Sequence, residues 1–161
     1  MNTTSERVPA LLPKKISHWL QEQRFTHFIT LTTHEHSLSI DGMRHRLREW
    51  DARVNRALIG RNWHKRRDQR IWFHAFLESP GVNPHWHILL RLDDTPVAGC
   101  IPDTQMLKDY ARRAWARLSP AGTVDVQEIT GKTDLKLTNY VAKELRHMAQ
   151  YSSFVLPDEF R

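Results

Sequence analysis

The stretch Ile71–Leu92 reads IWFHAFLESPGVNPHWHILLRL and contains two predicted strands joined by a turn. Residues Ile71–Glu78 and Trp86–Leu92 are rich in aromatic and branched apolar side chains, as strands are. The residues between them, Ser79–Pro84, include two prolines, a glycine and an asparagine, which are turn-forming types. The sequence therefore predicts a β-hairpin in the middle of the chain.

A strand and a helix are predicted before this hairpin. His27–Thr33, HFITLTT, is a β-branched run typical of a strand. Ser39 or Asp41 can cap the helix that follows. The apolar residues that recur there at helical spacing are Met43, Leu47, Trp50, Val54 and Leu58.

Three further elements are predicted after the hairpin. A helix opens at Pro102 and Asp103, a strand spans Thr123–Ile129, and a last helix runs from Asp134 to about Ala149. The order β-α-β-β-α-β-α indicates an α+β fold. We expect a ferredoxin-like or RRM-like split β-α-β layout, in which helices pack on a mostly antiparallel sheet of four to five strands.

Length and composition favour one domain that binds a polyanion. The chain has 161 residues, and 24 Lys and Arg against 18 Asp and Glu give a net charge of +6. We expect a loosely ordered leader over 1–13, a short helix over Lys14–Arg24, and a single domain over 14–161. Nucleic acid is the partner that this charge favours, although a basic protein without such a partner remains an alternative.

The expected location is the cytoplasm. Cys100 is the single cysteine, which excludes an internal disulfide and suits a reducing compartment. The first residues show neither a signal-peptide pattern nor a membrane segment, so no membrane partner is expected.

Three side chains of the hairpin form a candidate metal site. Side chains alternate faces along a strand, so His85 and His87 point one way. Glu78 lies across the turn, within reach of both. Two imidazoles and one carboxylate leave coordination positions open and suit Mg2+ or Mn2+. A strand with two structural histidines and a solvent-facing acid is the competing interpretation.

The last predicted helix offers a nucleophile. Tyr140, Lys136 and Lys143 fall on one stripe beside its apolar face. A phenol ionises near pH ~10, so a neighbouring cation such as Lys143 is needed to favour the phenolate. An amphipathic helix with a boundary tyrosine and solvated lysines is the alternative.

The segment Arg61–Arg70, RNWHKRRDQR, is a predicted exposed basic connection. Its candidate DNA-binding residues are Lys65, Arg66, Arg67 and Arg70, with Lys136 on the last helix and the early pair Lys14 and Lys15 in the same role. A solvated loop that only maintains solubility is an equal alternative.

Three segments together resemble a known family. They are FITLTT (Phe28–Thr33), FLESPGVNPHWHILL (Phe76–Leu90) and NYVAKEL (Asn139–Leu145). In type, order and spacing they are similar to the three motifs of the HUH endonucleases of rolling-circle replication initiators. The resemblance covers roughly Phe28–Leu145 and implies a metal-dependent, single-tyrosine DNA nicking and joining enzyme.

The resemblance also implies residue roles. Glu78, His85 and His87 would hold the divalent cation, and Tyr140 would attack the scissile phosphate and become joined to the 5′ phosphate. Lys143 would orient the tyrosine or neutralise the phosphate. The motif that contains Thr30 and Thr32 is usually structural in that family, so we assign these threonines no chemistry.

The implied partners are single-stranded DNA at a plasmid or phage origin, including an origin folded as a hairpin, and a host helicase and polymerase. Gly131-Lys132-Thr133 lacks the upstream glycine of a phosphate-binding loop, so no helicase domain is expected. Tyr140 is the one tyrosine in its motif, so a second cleavage would need another subunit or acceptor. We expect a monomer or a weak dimer.

Alternatives remain at the level of site and of function. His34 and His36 around Glu35 form a second, weaker candidate metal site, and Tyr110 and Tyr151 are weaker candidate nucleophiles. The same motifs serve HUH transposases and conjugative relaxases. A non-catalytic nucleic-acid-binding regulator is the alternative from another class.

Overall fold

The computed structural model describes residues 22–92, 102–130 and 154–160, together with Lys15, His18, Trp19, Lys136 and Leu137. Its two long helices are α1 (Ile40–Ile59) and α2 (Thr104–Leu118). Its strands are β1 (His27–Thr32), β2 (Trp72–Glu78), β3 (His85–Arg91), β4 (Val124–Glu128) and β5 (Phe154–Val155). The predicted α+β class is confirmed, and the bounds of the first four strands agree with prediction to within one residue. In these described parts, no helix has the length and apolarity needed to cross a membrane.

The five strands form one sheet in the order β4-β1-β3-β2-β5, and each neighbouring pair is antiparallel. Helix α1 connects β1 to β2, and these two strands lie on either side of β3. Helix α2 connects β3 to β4, and these two strands lie on either side of β1. This order is compatible with a split β-α-β layout. The edge strand β5 was not predicted, because two residues are too few to show a strand pattern.

Both helices begin at side-chain caps, Ser39 being one of the two caps predicted for α1 and Asp103 lying at the predicted start of α2. The Ser39 hydroxyl accepts a hydrogen bond from the backbone N–H of Gly42 at 3.1 Å, so Ser39 caps α1. The Asp103 carboxylate accepts one from the N–H of Met106 at 2.8 Å. Each cap satisfies a backbone donor that the first helical turn leaves without a partner.

The two helices cover one face of the sheet. Trp50 of α1 and Trp86 of β3 are both fully buried there. The Trp50 indole donates to the Ala111 carbonyl of α2 at 3.2 Å, and the Trp86 indole donates to the Met43 carbonyl of α1 at 3.1 Å. Large apolar rings with satisfied N–H groups thus join the sheet and both helices, and they fix which face of β3 points inward.

The opposite face of the sheet has its own smaller core. Four buried side chains, Phe25, Phe28, Phe76 and Leu89, form this second core. Trp72, Ile129, Leu137 and Phe154 pack against it. Lys136 and Leu137 are helical, so the described start of the predicted last helix lies on this face. The remainder of that helix, and the leader, lie outside the described residues.

His74 of β2 is enclosed by aromatic rings on this face. Its imidazole stacks on Phe154 at 5.7 Å between centroids and meets the edges of Trp19, Phe25 and Trp72. The side chain is 1 % exposed, and neither ring nitrogen has a hydrogen-bond partner among the described residues. Burial lowers the pKa of His74 to about 4 from the ordinary 6.5, because the apolar surroundings disfavour the charged ring.

This pKa predicts a stability loss in acid. The pKa of His74 is lower in the folded protein than in the unfolded chain, so protonation of this ring favours unfolding. The free energy of unfolding is therefore unaffected by protonation of His74 above about pH 6.5 and decreases as the pH falls from there toward 4. When the pH is lowered from 7.5 to 4.5, the free energy of unfolding of the wild-type protein should decrease by about 2 to 3 kcal/mol more than that of His74→Leu. Urea unfolding of both proteins at the two pH values measures this difference. An equal loss in both would contradict it.

Candidate metal centre

Strand register brings the predicted metal ligands together. In the β2–β3 pair, Glu78 lies directly opposite His85 and Phe76 lies opposite His87. Side chains two residues apart on a strand share a face, so all four side chains project from the same side of the sheet. This side is opposite the buried Trp86, and it leaves Glu78 and both histidines about one-eighth to one-quarter exposed.

The three ligand-bearing groups converge at this point. His87 Nε2 lies 2.7 Å from Glu78 Oε2, and His85 Nε2 lies 3.4 Å from the same oxygen. One candidate ligand atom from each residue lies within 4.8 Å of the other two. The cluster Glu78–His85–His87 is the group of this kind found in the described part of the chain. The predicted spatial grouping is therefore present as a possible cation site.

A neighbouring carbonyl sets the orientation of His85. Its Nδ1 lies 2.8 Å from the backbone carbonyl oxygen of Asn83. A carbonyl only accepts, so in the neutral ring Nδ1 carries the proton and Nε2 presents a lone pair to the Glu78 carboxylate. The turn makes this contact available, because the N–H groups of Val82 and Asn83 both bond the Ser79 carbonyl. A cation between the lone pair and the carboxylate would relieve their repulsion.

His87 is held more deeply than His85. Its Nδ1 lies 3.2 Å from the Thr30 hydroxyl on β1, and Phe28 stacks on its ring at 5.3 Å between centroids. Burial lowers the pKa of His87, and the neighbouring His85 acts in the same direction. The hydrogen bond and the negative charge of Glu78 act in the opposite direction. A neutral imidazole is the form that binds a metal ion, so this direction suits a ligand.

The donor set fits a divalent cation with open coordination positions. Two imidazole nitrogens and one carboxylate oxygen suit Mn2+ or a related transition ion, and Mg2+ is bound through carboxylates with several retained waters. The second ring nitrogen of each histidine already has an oxygen partner, as metal-binding histidines almost always do. The sequence alone assigned Thr30 no role in the site. The register of the β1–β3 pair places Thr30 directly opposite His87.

The predicted nucleophile and its lysine are not described. Tyr140 and Lys143 lie outside the described residues, so their placement near Glu78 stays a prediction. Lys136, four residues before Tyr140, is helical and exposed, as predicted. The next residue, Leu137, packs against the second core, which includes the Phe28 ring that stacks on His87.

The predicted exposure of one candidate DNA-binding residue, Arg70, is wrong. Lys65, Arg66 and Arg67 are exposed after α1, where Arg66 separates two short 3-10 turns, as expected for a basic connection. Arg70 is instead buried, and its guanidinium bonds the buried Asp51 carboxylate at 2.7 Å. A buried acid requires a paired cation, so Arg70 joins the connection to α1 and is not available to a phosphate.

The alternative site residues have other roles. Arg46 holds the Glu35 carboxylate through two bonds of 2.7 and 3.0 Å, which lowers the pKa of Glu35 and occupies both of its oxygens. His34 and His36 are exposed and contact Thr32 and Val82 separately.

The candidate nucleophile Tyr110 lies on α2, the helix that covers the opposite face of the sheet. Its position on that helix does not favour a role beside the Glu78–His85–His87 cluster. Tyr151, the other alternative, lies outside the described residues.

Removal of one ligand should abolish tight cation binding. We expect His87→Ala to weaken Mn2+ binding by at least about 100-fold in calorimetric titration, because only two of the three protein ligands would remain. His45→Ala is the matched control, because His45 is an exposed histidine on α1. Equal Mn2+ affinity in His87→Ala and in the wild-type protein would remove His87 from the site.

Comparison with known proteins gives no relative for this chain. No model of a known protein family, no curated protein and no solved structure matched it. The function must therefore be inferred from the residues of the chain and from the geometry of the Glu78–His85–His87 cluster.

Proposed function

We propose that this chain is a metal-dependent, single-tyrosine DNA nicking and joining enzyme of the HUH type, with a ferredoxin-like or RRM-like split β-α-β fold. Its role would be to initiate rolling-circle replication of a plasmid or phage at a single-stranded origin. The observation that carries the proposal is the convergence of Glu78, His85 and His87 on one partly exposed face of the sheet.

The cation would be Mg2+ or Mn2+, held by Glu78, His85 and His87, and it would supply positive charge to the oxygens of the scissile phosphate. The chain orients these ligands before any substrate arrives. Asn83 and Thr30 fix the rings, and the strand register fixes the spacing. Open coordination positions on the exposed side are where a phosphodiester oxygen would bind.

Tyr140 is the proposed nucleophile. Three peptide steps separate it from Leu137, a chain length of at most about 11 Å. Leu137 packs on the face of the sheet that carries the metal ligands, which supports a tyrosine within reach of the site. Among the described residues the tyrosine is Tyr110, which belongs to α2 and so lies on the opposite face of the sheet.

The proposed reaction is a transesterification. The Tyr140 phenolate oxygen attacks the phosphorus, a bond from tyrosine to the 5′ phosphate forms, and the bond from phosphorus to the 3′ oxygen breaks. The 3′ oxygen takes a proton from water and leaves as a free hydroxyl that a host polymerase can extend. Lys143, three residues beyond Tyr140 in the predicted last helix, would favour the phenolate or neutralise the phosphate. Attack by a 3′ hydroxyl on the phosphotyrosine reverses the sequence and rejoins the strand.

Exposed cations are the proposed contacts to the DNA backbone. Lys65, Arg66 and Arg67 lie in the connection between α1 and β2, and Lys136 is a described helical residue within the predicted last helix. Each neutralised phosphate releases condensed counterions, so binding should weaken steeply as salt is added. A host helicase is the proposed partner for strand separation.

Replacement of the nucleophile should separate binding from cleavage. We expect Tyr140→Phe to lower formation of a covalent DNA–protein product by at least about 1,000-fold, because the attacking oxygen is gone. Binding of single-stranded DNA should change little. The assay incubates protein, Mn2+ and a pool of labelled single-stranded DNAs, then separates products in denaturant.

Tyr110→Phe is the matched control and should form the covalent product at the wild-type rate. Undiminished product in Tyr140→Phe would exclude Tyr140 as the nucleophile. Retained DNA binding without any covalent product in the wild-type protein would favour a non-catalytic regulator.

A further inference from the structure

The Thr30 hydroxyl is a hydrogen-bond partner of His87 Nδ1, the ring nitrogen that does not contact Glu78. Thr30 lies on β1 directly opposite His87 of β3, and its hydroxyl is 3.2 Å from His87 Nδ1. The other ring nitrogen, Nε2, lies 2.7 Å from the Glu78 carboxylate. The imidazole thus lies between the Glu78 carboxylate, which only accepts hydrogen bonds, and the Thr30 hydroxyl, which both donates and accepts them.

This arrangement assigns one tautomer to His87 in the absence of a cation. A carboxylate at 2.7 Å from Nε2 accepts a hydrogen bond, so Nε2 carries the proton of the neutral ring. Nδ1 then has a lone pair, and the Thr30 hydroxyl donates to it. His85 differs, because the Asn83 carbonyl accepts from its Nδ1 and fixes the tautomer that leaves Nε2 unprotonated.

Cation binding requires the other tautomer of His87. A metal ion takes the lone pair of Nε2, so the proton must leave Nε2, and exchange with water places one proton on Nδ1. The ring stays neutral overall, and no net proton is gained or lost. The Thr30 hydroxyl must then accept the hydrogen bond that it previously donated, which rotation about the Cβ–Oγ1 bond permits.

We propose that Thr30 is a positioning residue that supports both tautomers of His87 and thereby sets the affinity of the cation site. This proposal rests on the cation site of the proposed function and adds to it a residue that touches neither the cation nor the DNA. A side chain of the same shape without a hydroxyl can support neither tautomer. Serine, which keeps the hydroxyl, can support both.

Three variants separate this role from a structural one. Thr30→Val keeps the β-branched shape and removes the hydroxyl, and Thr30→Ser keeps the hydroxyl. Thr32→Val is the matched control, because Thr32 is on the same strand and face but its hydroxyl bonds Thr123 of the loop before β4. Thermal unfolding of each variant verifies that it is folded.

The first readout is Mn2+ affinity measured by calorimetry. We expect Thr30→Val to bind Mn2+ about 10- to 100-fold more weakly than the wild-type protein, and Thr30→Ser and Thr32→Val to bind within about 3-fold of it. Wild-type affinity in folded Thr30→Val would overturn the role of Thr30 and leave the cation site intact. Absence of Mn2+ binding by the wild-type protein would overturn both the role and the proposed cation site.

The second readout needs no variant. Nitrogen-15 NMR of the wild-type imidazoles, with Zn2+ as a diamagnetic probe, distinguishes a protonated Nε2 from a protonated Nδ1. We expect His87 to carry its proton on Nε2 without metal and on Nδ1 with Zn2+, while His85 carries it on Nδ1 in both states. The same His87 tautomer in both states would overturn the proposal.

Discussion

The antiparallel pairing of β2 with β3, in the register that sets Glu78 opposite His85, is the constraint on which the candidate metal centre depends. A shift of one residue in either strand would move its side chains to the other face. Trp86 opposes such a shift, because it is fully buried against α1 and its indole N–H has a partner there. The packing that stabilises the core therefore also keeps both histidines on the outer face.

The two faces of the sheet differ in the size of the core that covers them. Both long helices and the larger core lie on one face, where three fully buried tryptophans fill the space between helices and sheet. The other face has a smaller aromatic core, into which Phe28 and Phe76 project beside the candidate metal ligands. Phe28 packs on the His87 ring, so the apolar cluster supports the ligand as well as burying surface.

Much of this arrangement could be predicted from local pattern. Strand alternation predicted that His85 and His87 share a face, and turn chemistry predicted the hairpin. The sequence also offered Ser39 or Asp41 as the cap of α1 and placed the start of α2 at Pro102 and Asp103. Such features depend on residues close in sequence, where periodicity and capping rules apply. The third candidate ligand, Glu78, could also be predicted, because it lies across the same turn from the histidines.

Features that depend on distant residues were not predictable in this way. Arg70 lies in a segment whose basic composition predicts exposure, but it is buried in an ion pair with Asp51 of α1, a residue distant in sequence. The contact of Thr30 with His87 joins residues 57 positions apart and follows from the β1–β3 register, which one sequence does not reveal. Strand β5 is defined by its pairing with β2 and not by its own two residues.

The central claim is that Glu78, His85 and His87 bind one divalent cation. Diffraction data from crystals soaked in Mn2+, collected on both sides of the manganese absorption edge, test it most directly. The account predicts one anomalous peak in contact with the Glu78 carboxylate and with Nε2 of both histidines, at about the ligand distances usual for a bound transition ion. Saturating Mn2+ with no peak among these three side chains would contradict it.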